Sequence, residues 1–177
     1  MRLLSCLFAL LLSTLSYAAP AEIDWLELMP EEDLQALEAM PEIIHEGAEQ
    51  DRVFGQSGGL KQAEGLPAVM YSTKTVARLD GQTVRLGGYP VPLEHNARGD
   101  TTLLFLVPYP GACIHVPPPP PNQIVLVRYP QGVAIDDIYA PFWVDGTLKI
   151  EAVDNELAQA SYALQASVVK AVEEADF

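Results

Sequence analysis

Positive charge is scarce in this chain. Ten Lys and Arg stand against 24 Asp and Glu over 177 residues, for a formal net charge of −14. Nucleic-acid binding rests on clustered Lys and Arg, so no nucleic-acid partner is expected. The same shortage excludes a polybasic membrane-surface protein. Cysteine is scarcer, with two residues, and histidine has three. Beyond the N-terminus no stretch is long and apolar enough to cross a bilayer, and no internal repeat is visible. Proline is abundant instead: fifteen residues exclude an all-helical bundle. At 49% hydrophobic content, the length suits one globular domain with appendages.

The N-terminus reads as an address. Met1-Arg2 is a minimal positive region, Leu3 to Leu12 is apolar apart from Ser5 and Cys6, and Ser16-Tyr17-Ala18 places small residues where a signal peptidase reads. A signal peptide over 1–18 is expected, cut after Ala18, with Ala21 as second choice. The run is too short for a comfortable span, so no stable membrane insertion is expected after cleavage. The mature chain is expected to be periplasmic. Cys6 leaves with the signal, so Cys113 becomes a lone thiol in an oxidising compartment.

An acidic N-terminal arm is expected over 19–68. Residues 22–51 hold eleven acids and no Lys or Arg. Pro30-Glu31-Glu32-Asp33 starts a helix with proline first and acids in the first turn. Leu34, Leu37 and Met40 follow at helical spacing, and Pro41 stops it. Residues 47–65 are rich in Gly, Gln and Ser and read as a linker.

Residues 69–177 are expected to form the β-barrel domain. Thr75 to Leu79 and Thr83 to Leu86 flank Asp80-Gly81, a hairpin signal. Gly87-Gly88 allow the second strand to bend on its way to Leu93. Thr101 to Val107 and Gln123 to Arg128 are apolar runs suited to burial on both faces, and Phe142 to Val153 holds Asp145-Gly146 as a bulge or turn. Five strands point to a mainly β fold: a small antiparallel barrel, OB-like (oligonucleotide-binding type) with its topology open. A strict member places a helix between its third and fourth strands, where this reading finds the proline-rich loop 108–122. Asp154 or Asn155 caps an expected C-terminal helix with Leu157, Ser161, Leu164, Val168 and Val172 on one face.

The rarest string is Gly111-Ala112-Cys113-Ile114-His115, followed after Val116 by Pro117 to Pro121. Trp25 to Pro30, Leu79-Asp80-Gly81, Val91-Pro92-Leu93, Trp143-Val144-Asp145-Gly146-Thr147-Leu148 and an Ala-rich tail with Tyr162 accompany it in order. From about residue 23 to 170 the chain resembles the exported bacterial family catalogued as domain of unknown function 3299. The resemblance implies a periplasmic protein with no established activity, encoded near ATP-binding-cassette (ABC) transporters, some in zinc-responsive neighbourhoods. An ABC-type permease or another envelope protein is therefore the partner it suggests.

Cys113 and His115 are two apart, so on an extended strand their side chains share a face. Sulfur and nitrogen ligands suit Zn²⁺ or copper. His95, beside Glu94, is the best third ligand, and His45 a poorer one. The alternative is that Cys113 is a small buried hydrophobe and His115 a hydrogen-bonded core or rim residue. The run Pro117, Pro118, Pro119, Pro120 and Pro121 is either a stiff connector or a preformed docking face. Tyr109, Tyr129, Tyr139 and Phe142 are near it in sequence. Asp136-Asp137 is a carboxylate pair suited to a cation or to solvent. Gly87-Gly88 lacks the Lys and the context of a phosphate cradle. The reading is a non-enzymatic periplasmic binding or accessory protein of an ABC-type transporter, with a role in zinc homeostasis. The rivals are a thiol-dependent enzyme using Cys113 and His115 and a purely structural interaction module.

Overall fold

The computed structural model describes residues 19–40, 60, 65–112 and 118–173. The expected signal peptide lies outside these residues, as do His45 and the segment from Cys113 to Pro117.

Among the described residues there are six strands: β1 (Ala21–Glu22), β2 (Thr83–His95), β3 (Thr101–Val107), β4 (Val125–Val133), β5 (Phe142–Asp154) and β6 (Gln159–Ala171). The α-helix α1 (Glu31–Glu38) precedes the long strands. The sheet runs β1-β2-β3-β4-β6-β5, and a β2–β5 pairing closes the last five strands into a barrel. All its neighbours are antiparallel except β4 and β6, which run parallel from Val125↔Tyr162 to Arg128↔Gln165. The expected mainly β barrel with an N-terminal helix is present.

The strand period of two sorts side chains to two cores. Val84, Leu86, Leu104, Leu106, Val125, Val127, Val144, Leu148, Tyr162 and Leu164 fill the barrel interior. Phe105, Val107, Leu126, Ala160 and Ala163 point the other way, into a second cluster with Leu60, Ala112 and Ile124. This explains the unbroken apolar runs in β3 and β4: both their faces are buried.

The C-terminal helix is corrected to strand β6. Its alanines favour helix, yet Ala160 to Leu164 are all buried, and a short run buried all round carries no period that separates strand from helix. Eleven partner pairs with β5 and four with β4 decide the outcome. The expected strand Thr75 to Leu79 is also corrected. It is an extended segment ending in a 3-10 turn at Ala77–Leu79. Asp80-Gly81 does turn the chain, with Gly81 at φ +78°. It docks on β5 rather than joining two strands: Gly81 N–H donates to Leu148 O at 2.8 Å, and Asp80 Oδ1 accepts from Ile150 N–H at 3.0 Å.

The described N-terminal residues, expected as an acidic arm, pack against the barrel. β1 pairs with β2, and Leu28 is wholly buried in the interior cluster. Leu60, within the expected linker, is buried too, its N–H donating to Leu157 O at 2.8 Å. Tyr162 ties three segments at the core: its hydroxyl accepts from Val76 N–H at 2.7 Å and donates to Leu28 O at 2.9 Å.

Glycines sit where strands or rings come close. Asp145-Gly146 is a bulge, and a Cβ on Gly146 would lie 2.3 Å from Gln165 O and from Leu164. β2 passes from its β5 partners to its β3 partners at Gly88 and Tyr89. There a Cβ on Gly87 would meet Trp143, and one on Gly88 would meet Trp25, each at 2.8 Å.

Gly146→Ala is expected to cost about 3 kcal/mol of stability in urea, because backbone must move. Gly65→Ala, at φ +86° in open space, should cost only about 1 kcal/mol. Equal losses would contradict the close packing at Gly146. Burial raises the Tyr109 phenol well above its ordinary value, and burial outweighs the Val76 N–H in raising Tyr162. The unfolded phenols ionise near the ordinary value of 10.0 while the folded ones hold their protons. The stability these phenols contribute is therefore complete below that pH and is lost as pH rises past it. Urea midpoints taken between pH 8 and 11 should fall through this window, and less steeply in Tyr109→Phe.

Candidate functional site

The structure brings together a set of residues that no sequence spacing joins. Asp33, in the first turn of α1, is a buried carboxylate. Its Oδ2 accepts from the Ser72 hydroxyl and, at 3.0 Å, from Asn122 Nδ2. Its Oδ1 lies 3.3 Å from Lys74 Nζ, which also meets Glu32 at 2.8 Å. Glu32 first, and then Asp33, hold the exposed Lys74 ammonium above its ordinary value.

Asn122 is the hub. It is wholly buried at the end of the proline run, and its side chain also donates to Lys74 O at 3.1 Å. Its backbone N–H donates to Ser72 O at 3.2 Å. With Nδ2 held by two acceptors, Oδ1 has no partner among the described residues. The next residue, Gln123, donates from Nε2 to Trp25 O at 2.6 Å. The indole of Trp25 in turn donates to Gly87 O at 2.6 Å. One polar chain thus joins α1, the 72–74 segment, the end of the proline run and β2.

Pro118, Pro119, Pro120 and Pro121 are buried. They present no face to solvent, which removes the docking surface read from the sequence at these four positions. Pro117 lies outside the described residues, as do Cys113 and His115. The residues on either side, Ala112 and Pro118, are both buried.

His95 ends β2, exposed, opposite Thr101 at the start of β3. The chain leaves toward Cys113 from the other end of β3, about 20 Å away along seven strand residues. Among the described residues, no three His, Cys, Asp or Glu side chains gather to hold a metal ion. Asp136 and Asp137 are exposed, and Asp137 Oδ1 accepts from Tyr139 N–H at 2.8 Å in a local turn. Of the aromatics near the proline run, Phe142 and Tyr129 join the interior cluster and Tyr109 the second one, while Tyr139 is exposed.

Cations are engaged elsewhere in pairs. Arg85 grips Asp145 through two bonds of 2.7 and 2.8 Å and lies over the Trp143 ring. Arg128 grips Glu151 at 2.5 and 3.0 Å, which holds the Glu151 carboxyl below its ordinary value.

The family model described as "Protein of unknown function (DUF3299)" matches residues 25–171. The fold is similar to the crystal structure of a DUF3299 family protein from Pseudomonas aeruginosa PAO1. The sequences are 42% identical, the match covers 88% of this chain and 97% of that one, and the TM-score is 0.66. No curated protein matches the chain.

Asp33→Ala is expected to cost about 3 kcal/mol, because it takes the shared acceptor from the Ser72 and Asn122 donors in a buried site. A double-mutant cycle of Asp33→Ala with Asn122→Ala, read by urea unfolding, should show coupling of about 1 kcal/mol. Strict additivity would mean that the two side chains act separately.

Proposed function

The chain belongs to the DUF3299 family, and on that premise we propose a non-enzymatic periplasmic binding or accessory protein that serves an ABC-type envelope transporter. In this reading Cys113 and His115 hold zinc, and the barrel presents them to the partner. The reading is supported by the Cys-x-His spacing of Cys113 and His115 and by the burial of Ala112 and Pro118, the described residues on either side of them. Zinc there would be held by one thiolate and one imidazole, and would need further ligands to reach four. His95, the third ligand read from the sequence, is exposed at the far end of β3. The proline run acts as a buried connector rather than a docking face.

The finer fold reading is an OB-type barrel. Five closed strands with one parallel contact support it, although the 134–141 connection between its third and fourth strands carries no helix. Barrels of that type bind ligands on the outer face of their second and third strands. Here those strands are β3 and β4, and their outer face is filled by Leu60, Tyr109 and Ala112. Together with the net charge of −14, this speaks against nucleic-acid binding.

Elemental analysis of the untagged mature protein, purified without chelator, tests the reading. Near-stoichiometric zinc is expected, lost in Cys113→Ser and in His115→Ala. Metal-free protein after reconstitution under reducing conditions, with Cys113→Ser altering stability alone, would end it.

A further inference from the structure

The two parallel strands part company at one end of the barrel. β4 and β6 pair from Val125↔Tyr162 to Arg128↔Gln165. They then run on to Val133 and Ala171 with no further pairing to each other among the described residues. On its other flank β6 stays paired with β5 as far as Phe142↔Ala171. Past Gln165, β6 is therefore a sheet edge.

The direction of its amides follows from one bond. Val172 N–H donates to Pro141 O at 2.9 Å, so the backbone of residue 172 faces β5. Backbone groups along an antiparallel pair alternate in direction. Those of Lys170 and Val168 thus face β5 as well, and the N–H and C=O of Val169 and Ala171 point away from it, to the open side. Two other edges are blunted by proline. β2 leaves β5 after Gly88 and then carries Pro90 and Pro92, and β4 carries Pro130 beyond Arg128. A proline offers no N–H to an incoming strand. The β6 edge keeps its donors.

Apolar surface and negative charge accompany this edge. Val168 is 40% exposed. At the same end of the barrel Tyr129, Val133, Ile135 and Ala166 cap the interior cluster while only partly buried. Asp136 and Asp137 follow Ile135 and are exposed.

We propose that β6 past Gln165 receives an extended segment of a positively charged protein, added to the sheet as a further strand. Backbone bonds to Val169 and Ala171 supply the affinity, and alternate apolar side chains of the segment reach the partly buried cap. Charge selects the partner: a chain carrying −14 with Asp136 and Asp137 at this end attracts a basic segment. A second copy is disfavoured, because two such chains repel. The antiparallel register that bonds Val169 to the second copy's Ala171 would also set Lys170 against its own equivalent. The inference stands without the zinc reading.

The test is a titration of the ¹⁵N-labelled mature chain with a short peptide of alternating lysine and valine. Two matched peptides accompany it, one with glutamate for lysine and one with every backbone amide N-methylated. Saturable shifts are expected at Val169, Lys170 and Ala171, with slowed amide exchange at Val169 and Ala171. The glutamate peptide should bind about fivefold more weakly, and the methylated one should not bind. Ala171→Pro removes a donor from the open side and leaves the β5 ladder intact. It should weaken the lysine peptide about tenfold, the worth of one backbone hydrogen bond. Asp136→Lys, at an exposed position, should weaken it about threefold with the fold unchanged. Equal binding of the methylated or the glutamate peptide would overturn the proposal, as would saturable shifts confined to another part of the barrel. A concentration-dependent dimer abolished by Ala171→Pro would overturn it in favour of self-pairing.

Discussion

Everything in this fold depends on β6 closing the barrel. The strand lies parallel to β4 on one side and antiparallel to β5 on the other, and its Tyr162 sits wholly buried among both. The hydroxyl of that tyrosine cannot be left dry and unpaired in a low-dielectric core. Val76 N–H and Leu28 O satisfy it, and in doing so bind the N-terminal residues and the 72–76 segment to the barrel. The segments that carry Asp33 and Ser72 are placed by this closure.

From that constraint follows the second layer. With the interior filled, the outward faces of β3, β4 and β6 still carry Phe105, Val107, Leu126 and a row of alanines that need cover. The chain covers them with its own Leu60, Tyr109 and Ala112. The small alanines allow this covering layer to lie close. The outer face of β3 and β4 is therefore a core rather than an open surface. The proline run ends against Asn122, whose bonds to Asp33 and Lys74 fix the exit of the loop.

How much of this could be read from the residues depended on whether a local pattern existed. β3, β4 and β5 were legible because apolar runs and the Asp145-Gly146 bulge are local signals. β6 was not, because Ala160 to Leu164 are buried all round and alanine favours helix; only pairing with distant strands settles it. Thr75 to Leu79 looks like a hairpin arm because Asp80-Gly81 is a good turn, yet that turn bonds to β5, far along the chain. The polar hub was invisible for a related reason. Asp33 and Asn122 stand 89 residues apart, and a single Asp in an acidic helix looks solvated until its neighbours are known. Trp25 and Trp143 over the paired glycines were likewise a packing fact that spacing does not record.

The proposal at the centre of this account is that Cys113 and His115 hold zinc as a pair. The most direct measurement is the alkylation rate of Cys113 in the folded, reduced mature protein, without and with one equivalent of zinc. The account predicts a thiol that reacts when metal-free and is protected stoichiometrically by zinc, with protection lost in His115→Ala. A rate that zinc leaves unchanged, or a thiol that reacts only after unfolding, would contradict it and return Cys113 to the role of a small buried hydrophobe.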